Sequence, residues 1–154
     1  MQTVIRGTLS RFCLKAASCV RRLRCALPDL LICVEGSASD EDAGRCRAQF
    51  EHLSASAWTY QPTFVDQLDA LPVSSSGDLP AIRTAGVVVS LPAPGAESDE
   101  RTVRNDVSRL VALMSRFAAA HNLELVVEYA GEEIGWLDGS DNDQLVVSRF
   151  FGES

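Results

Sequence analysis

From Val103 to Ala118 the apolar residues Val103, Val107, Leu110, Val111, Met114, Phe117 and Ala118 recur at spacings of three and four, the stripe of one helix face. This pattern predicts a core-facing helix. Ser98 or Asp99 can cap its start, Glu100 lies beside the positive end of its dipole, and Asn122 can close it in a left-handed conformation. At Leu123 the period shortens to two. Leu123, Leu125, Val127 and Tyr129 then share one strand face, with Glu124, Val126 and Glu128 on the other. Ala130-Gly131 is a turn, and Glu133 to Leu137 is the return strand of a hairpin.

Upstream, Pro28 and Asp29 break the chain before Leu30-Leu31-Ile32-Cys33-Val34, a run of the kind found in a central strand buried on both faces. Ser39 with Asp42 resembles a capping box, and Ala43, Cys46, Phe50 and Leu53 follow at helical spacing, which predicts a helix over residues 39 to 54. Trp58-Thr59-Tyr60 is read as a second strand ending before Pro62. Thr63 and Asp66 repeat the capping pattern, with Phe64, Leu68 and Leu71 on one side, so residues 63 to 71 are expected to add one or two helical turns. Residues 72 to 80 have loop composition. Ala85 to Leu91 is the next buried strand, closed by Pro92, Pro94 and Gly95. After the hairpin, Asp138-Gly139 turns the chain, and Ser140 with Asp143 starts a last helix carrying Leu145, Val146, Val147, Phe150 and Phe151. The order is strand, helix, strand, strand, helix, strand. It predicts an α+β fold: a ferredoxin-like βαββαβ sandwich, an antiparallel sheet with helices packed on one face, plus a C-terminal hairpin strand and helix and an N-terminal helix.

The charge is divided. Residues 1–28 hold Arg6, Arg11, Lys15, Arg21, Arg22 and Arg24 and no acid, while the rest of the chain holds the other eight basic residues against 21 acids, within a net charge of −7. Residues 1–27 therefore read as an Arg-rich amphipathic helix or arm, and residues 28–154 as a single acidic α+β domain. The segment has three readings: a helix docked on the domain, an arm added by a start codon set too far upstream, or an organelle-targeting segment. A secretory signal does not fit its interspersed arginines. With no apolar run of about 20 residues, no membrane span is predicted. The acidic body argues against nucleic acid and anionic membranes, and favours a basic partner. The arginine-for-lysine bias and abundant alanine fit a GC-rich bacterial genome. The five cysteines, Cys13, Cys19, Cys25, Cys33 and Cys46, form no CxxC pair and read as thiols of a reducing cytoplasm.

The motifs of chemistry are few. His52 and His121 lie near helix C-termini, where capping and dipole interactions account for them. A Cys33 or Cys46 dyad with His52 would need an exposed, electropositive thiol and an oriented base. The chain has no HxxxH, HExxH, GxxxxGK[ST], GxGxxG or GxSxG, so no cofactor or metal is expected. Asp138-Gly-Ser-Asp141-Asn-Asp143 groups oxygens as a hard-cation loop does, but lacks the glycine and the glutamate of an EF-hand. The most suggestive polar feature is a group of acids beside an aromatic: Glu128, Glu132, Glu133, Trp136, Asp138, Asp141 and Asp143 are the candidate partner-binding residues.

The stretch from Val103 to Trp136, with Phe117-Ala118 at the helix end and Glu128-Tyr129-Ala130-Gly131 at the turn, resembles the end of the B-type bacterial regulators of ribonuclease E activity. That resemblance implies a small, acidic, non-catalytic inhibitor with a ferredoxin-like fold. It is confined to this part of the chain. The aspartate, glycine and tryptophan run of the family is interrupted here by Ala130 and by Glu132-Glu133-Ile134-Gly135, and membership does not follow.

The first functional expectation is thus a non-catalytic acidic protein-binding module, an inhibitor or immunity-type protein of the bacterial cytoplasm that neutralises a toxin or enzyme with a basic surface. Two alternatives stand beside it. One is a small enzyme or ligand-binding domain using a cleft on the sheet face with Cys33, Cys46 or His52; the other is a self-associating structural subunit, such as a homodimer.

Overall fold

The computed structural model describes residues 29–69, 82–92 and 100–153. The expected N-terminal helix, the loop at 72–80 and the caps Ser98 and Asp99 lie outside these residues. Eight elements follow one another: β1 (Asp29–Val34), α1 (Asp40–Ser54), β2 (Thr63–Asp69), β3 (Ile82–Ser90), α2 (Glu100–His121), β4 (Leu125–Tyr129), β5 (Glu132–Leu137) and α3 (Asp143–Phe150). The five strands form one sheet in the order β2-β3-β1-β4-β5, and every neighbouring pair is antiparallel. The fold is therefore α+β, with a five-stranded antiparallel sheet and three helices among the described residues. β1 is central, pairing Ile32 with Val87 of β3 on one side and with Val127 of β4 on the other.

The helices form where the pattern places them. Ser39 Oγ accepts from the Asp42 amide at 3.1 Å while the Asp42 carboxylate accepts from the Ser39 amide at 3.3 Å, a complete capping box that starts α1. Every residue of the α2 stripe is buried, and Asn122 closes that helix at φ 51°. Ala130 and Gly131, at φ 51° and 97°, make the tight hairpin turn whose left-handed backbone matches the twist of the flanking strands. A bulge in the pairing near Val127 and Glu128 gives β5 one extra residue there.

Two sequence expectations are corrected. Residues 63–69 form strand β2, paired from Thr63↔Val88 to Asp69↔Ile82, rather than helical turns. The Asp66 carboxylate, read as an N-terminal helix acid, instead receives the guanidinium of Arg83 across the ladder at 2.8 and 3.0 Å, and Arg83 also reaches Asp40 of α1. Phe64 packs on Phe50 of α1 and under Arg47. Conversely, Trp58-Thr59-Tyr60 is not a strand. The backbone amides of Thr59 and Tyr60 donate to Asp106 of α2 at 2.9 and 3.0 Å, the Trp58 indole donates to the Leu53 carbonyl at 2.6 Å, and Arg109 lies over its ring. Amides held by a side chain cannot also serve a ladder. A smaller correction concerns α3: it begins at Asp143 behind Asn142, because the Ser140 hydroxyl turns back to Asp138 instead of capping the helix.

One core holds the domain together. Leu30, Ile32 and Val34 of β1, Ala85, Val87 and Val89 of β3, Leu125 and Val127 of β4 and Leu137 of β5 meet the buried faces of all three helices. Alternation along β1 sends Leu31 and Cys33 to the opposite side of the sheet, where they form a separate small cluster with Val65 and Val88.

Candidate protein-binding edge

β5 is an outermost strand of the sheet, pairing with β4 on one side only among the described strands. Its register is fixed by the hairpin turn and by a requirement of the core: Leu137 lies opposite Leu125 with both fully buried. Gly135, between them and the turn, lets α3 approach so closely that a Cβ there would stand 2.8 Å from Val146 Cγ2. With Gly135 and Leu137 committed to the helix side, Trp136 turns to the other side of the sheet, and it remains 39% exposed. Arg149 of α3 reaches the edge as well, its guanidinium donating to the Ile134 carbonyl at 3.1 Å.

The seven candidate residues divide by environment. Glu132, Trp136, Asp138 and Asp141 are exposed; Glu133 and Asp143 are half-buried; Glu128 is buried at 1% exposure and has no accessible surface to offer a partner. They also do not form one patch. Glu132 stands at the hairpin end of β5 and Asp138 just past its other end, roughly 20 Å apart at about 3.3 Å per strand residue. Trp136 is near the Asp138 end. Asp138 accepts from the amide and hydroxyl of Ser140, which holds its carboxyl below the usual range and keeps it charged. Asp143, in the first turn of α3, accepts from Ser115 of α2 at 3.2 Å and so ties two helices together. What remains for a partner is an indole beside two exposed carboxylates at one end of the strand and Glu132 at the other. Such a row can take basic side chains and, along the backbone, an added strand.

The thiol and imidazole candidates are not brought together. Cys33 faces the side of the sheet away from the helices, whereas Cys46 lies on the buried face of α1, its Sγ 4.0 Å from the Ala85 carbonyl. Burial, followed by the nearby Asp42 and Asp66 charges, pushes the Cys46 thiol up to about 11, the reverse of an activated nucleophile. His52 is exposed in the last turn of α1 and His121 in that of α2, its ring 4.9 Å from Phe117. Among the described residues no three His, Cys, Asp or Glu side chains are grouped as metal ligands, and no helix is long and apolar enough to cross a membrane. A small, partly open cavity at Leu30, Trp58, Tyr60, Val89, Leu91 and Asp106 has room of about 10 Å³, the size of one water.

Sequence reasoning did not find Asp106 or Arg83. Asp106 is a buried acid at 6% exposure inside an amphipathic helix, and its partners are backbone amides far along the chain. Both are structural clamps. Comparison with models of known protein families, with curated proteins and with solved structures finds no match.

Proposed function

We propose that this chain is a non-catalytic, acidic protein-binding module, of the inhibitor or immunity type, that engages a basic surface of a partner protein through the β5 edge. The observation that carries this reading is Trp136: a large aromatic 39% exposed on an outer strand, with the exposed carboxylates of Asp138 and Asp141 following it. An indole at a strand edge supplies buried area on docking at little entropic cost, and the flanking acids supply steering and register. The excess of acids in residues 29–154 extends that field over the domain and fits a bacterial cytoplasmic partner that is itself basic. The strand order supports a finer reading of the scaffold as well. β2-β3-β1-β4, with α1 joining β1 to β2 and α2 joining β3 to β4, is read as a ferredoxin-like core to which β5 adds an outer strand.

The test is affinity capture from a bacterial lysate with wild-type protein and with a Glu132→Lys/Asp141→Lys variant, at low and high salt. A stoichiometric protein bound by wild type at low salt, and weakened both by salt and by the variant, is the expected result. A partner held equally by both proteins at both salts would remove this edge from the account.

A second reading, a self-associating subunit, draws on the opposite edge of the sheet, where Leu68 of β2 is 66% exposed. Sedimentation over a concentration series distinguishes it, since a β2-mediated dimer is lost in Leu68→Lys and unaffected by Trp136→Ala.

A further inference from the structure

Counted from the hairpin turn, β5 does not alternate as a regular strand does. Glu133 lies opposite Glu128 and Trp136 opposite Val126, both on the side of the sheet away from the helices, although residues three apart in a regular strand point to opposite faces. The bulge reconciles them. Ile134 has no partner across the β4 ladder, since Glu133 pairs with Glu128 and Gly135 with Val127. Ile134 and Gly135 both turn to the helix side: Ile134 packs against the main core, and a Cβ on Gly135 would meet Val146 of α3. Regular pairing continued from Tyr129↔Glu132 would instead set Trp136 opposite Leu125, facing the helices, and Leu137 would leave the core. The bulge is thus what turns the indole outward.

An extra residue in a strand leaves backbone groups outside the ladder, and they need another partner. The Ile134 carbonyl finds one in α3, where the Arg149 guanidinium donates to it at 3.1 Å. The helix that carries Arg149 is itself tied down. Asp143 in its first turn accepts from Ser115 of α2, and just beyond its end Arg104 of α2 lies 4.0 Å over the Phe151 ring and bonds Glu153 at 2.6 Å. Val146 against Gly135, and Phe150 on Tyr129 with ring centroids 4.5 Å apart, hold the same helix along the hairpin.

We propose that Arg149 is a positioning residue of the docking edge: by holding the Ile134 carbonyl it keeps the β5 bulge in place, and the bulge keeps Trp136 on the outward face. This deepens the reading of Trp136 as the anchor for a protein partner, and rests on that reading for its functional meaning. Arg149 itself needs no contact with the partner. A cation suits the task because a charge-assisted hydrogen bond is stronger than a neutral one.

The test reads the strand itself, on the full chain and without a partner. Protein labelled with 5-fluorotryptophan gives one fluorine resonance for each of its two tryptophans, Trp58 and Trp136, assigned with Trp136→Phe. In Arg149→Ala the Trp136 resonance should move or broaden, while Trp58, bonded to the Leu53 carbonyl, stays where it is. Amide hydrogen exchange at residues 134–137 should rise about tenfold in the same variant, with that of α3 unchanged. Arg149→Lys, which keeps a charged donor, should restore both readouts. A Trp136 resonance and exchange rates identical to wild type in Arg149→Ala would overturn the proposal. So would a rise of equal size throughout α3, which would make Arg149 a staple of that helix and nothing more. Neither readout involves a partner, so failure here is distinct from failure of the docking reading, which Trp136→Ala tests by affinity.

Discussion

At the scale of single residues, the most informative group is a carboxylate that joins two distant parts of the chain. Asp106 accepts from the amides of Thr59 and Tyr60, and no side-chain pattern could announce those partners, since a backbone amide is present at nearly every position. The sequence shows only an acid adjoining an apolar stripe. Its removal leaves two partly buried donors unmet, so Asp106→Ala is expected to cost about 2 kcal/mol in urea unfolding, with Asp106→Asn, which keeps one acceptor, costing less. Cys46 offers a test by pH. Its folded thiol lies at about 11 against an ordinary 9.0, because burial disfavours the thiolate. The unfolded chain therefore loses that proton first. The resulting stabilisation is fully present below pH 9 and is lost as pH rises towards 11, with Tyr129, raised by its own burial, adding a slope of the same sign. Cys46→Ala should flatten the alkaline fall of stability, measured as urea midpoints between pH 8 and 11; an unchanged slope would show that Cys46 does not titrate as its surroundings dictate.

Among the elements, those with a strong local signal were legible and those defined by partners were not. α1 announces itself through Ser39 and Asp42, α2 through a long stripe, and the hairpin through Ala130-Gly131 between alternating runs. β2 was hidden because Thr63, Asp66 and Phe64 can serve a helix start as well as a strand; the pairing with β3, the Arg83 bridge and the Phe50 contact decide it, and all are non-local. Trp58-Thr59-Tyr60 has strand composition but spends its amides on Asp106. The ladder itself makes a sharp expectation at Gly86, which pairs with Cys33. A Cβ there would stand 2.1 Å from the Ile32 carbonyl oxygen and 2.6 Å from Cys33 Cα, so the two central strands would have to part. Gly86→Ala should destabilise by about 3 kcal/mol or more. Ser39→Ala, by contrast, should cost only about 1 kcal/mol, the value of one cap. Thermal or urea unfolding of the two variants side by side checks that order.

For the whole molecule, charge is divided along the sequence, with a basic segment ahead of an acidic body, and the central strand of that body is buried on both faces. The candidate site was only partly legible. The sequence grouped seven residues by proximity along the chain, but strand alternation and the bulge separate them, sending Glu128 inward and giving Asp143 to α3. Trp136 is the residue on which the functional account turns, because among the seven candidates it alone combines apolar area, exposure and an edge position. The most direct test is therefore the dissociation constant of the captured partner for wild type and Trp136→Ala, measured by titration calorimetry on proteins with matched unfolding midpoints. The account expects the variant to bind at least about tenfold more weakly, about 1.4 kcal/mol, with its fold intact. Equal affinities would contradict it and place the partner's footprint elsewhere on the domain.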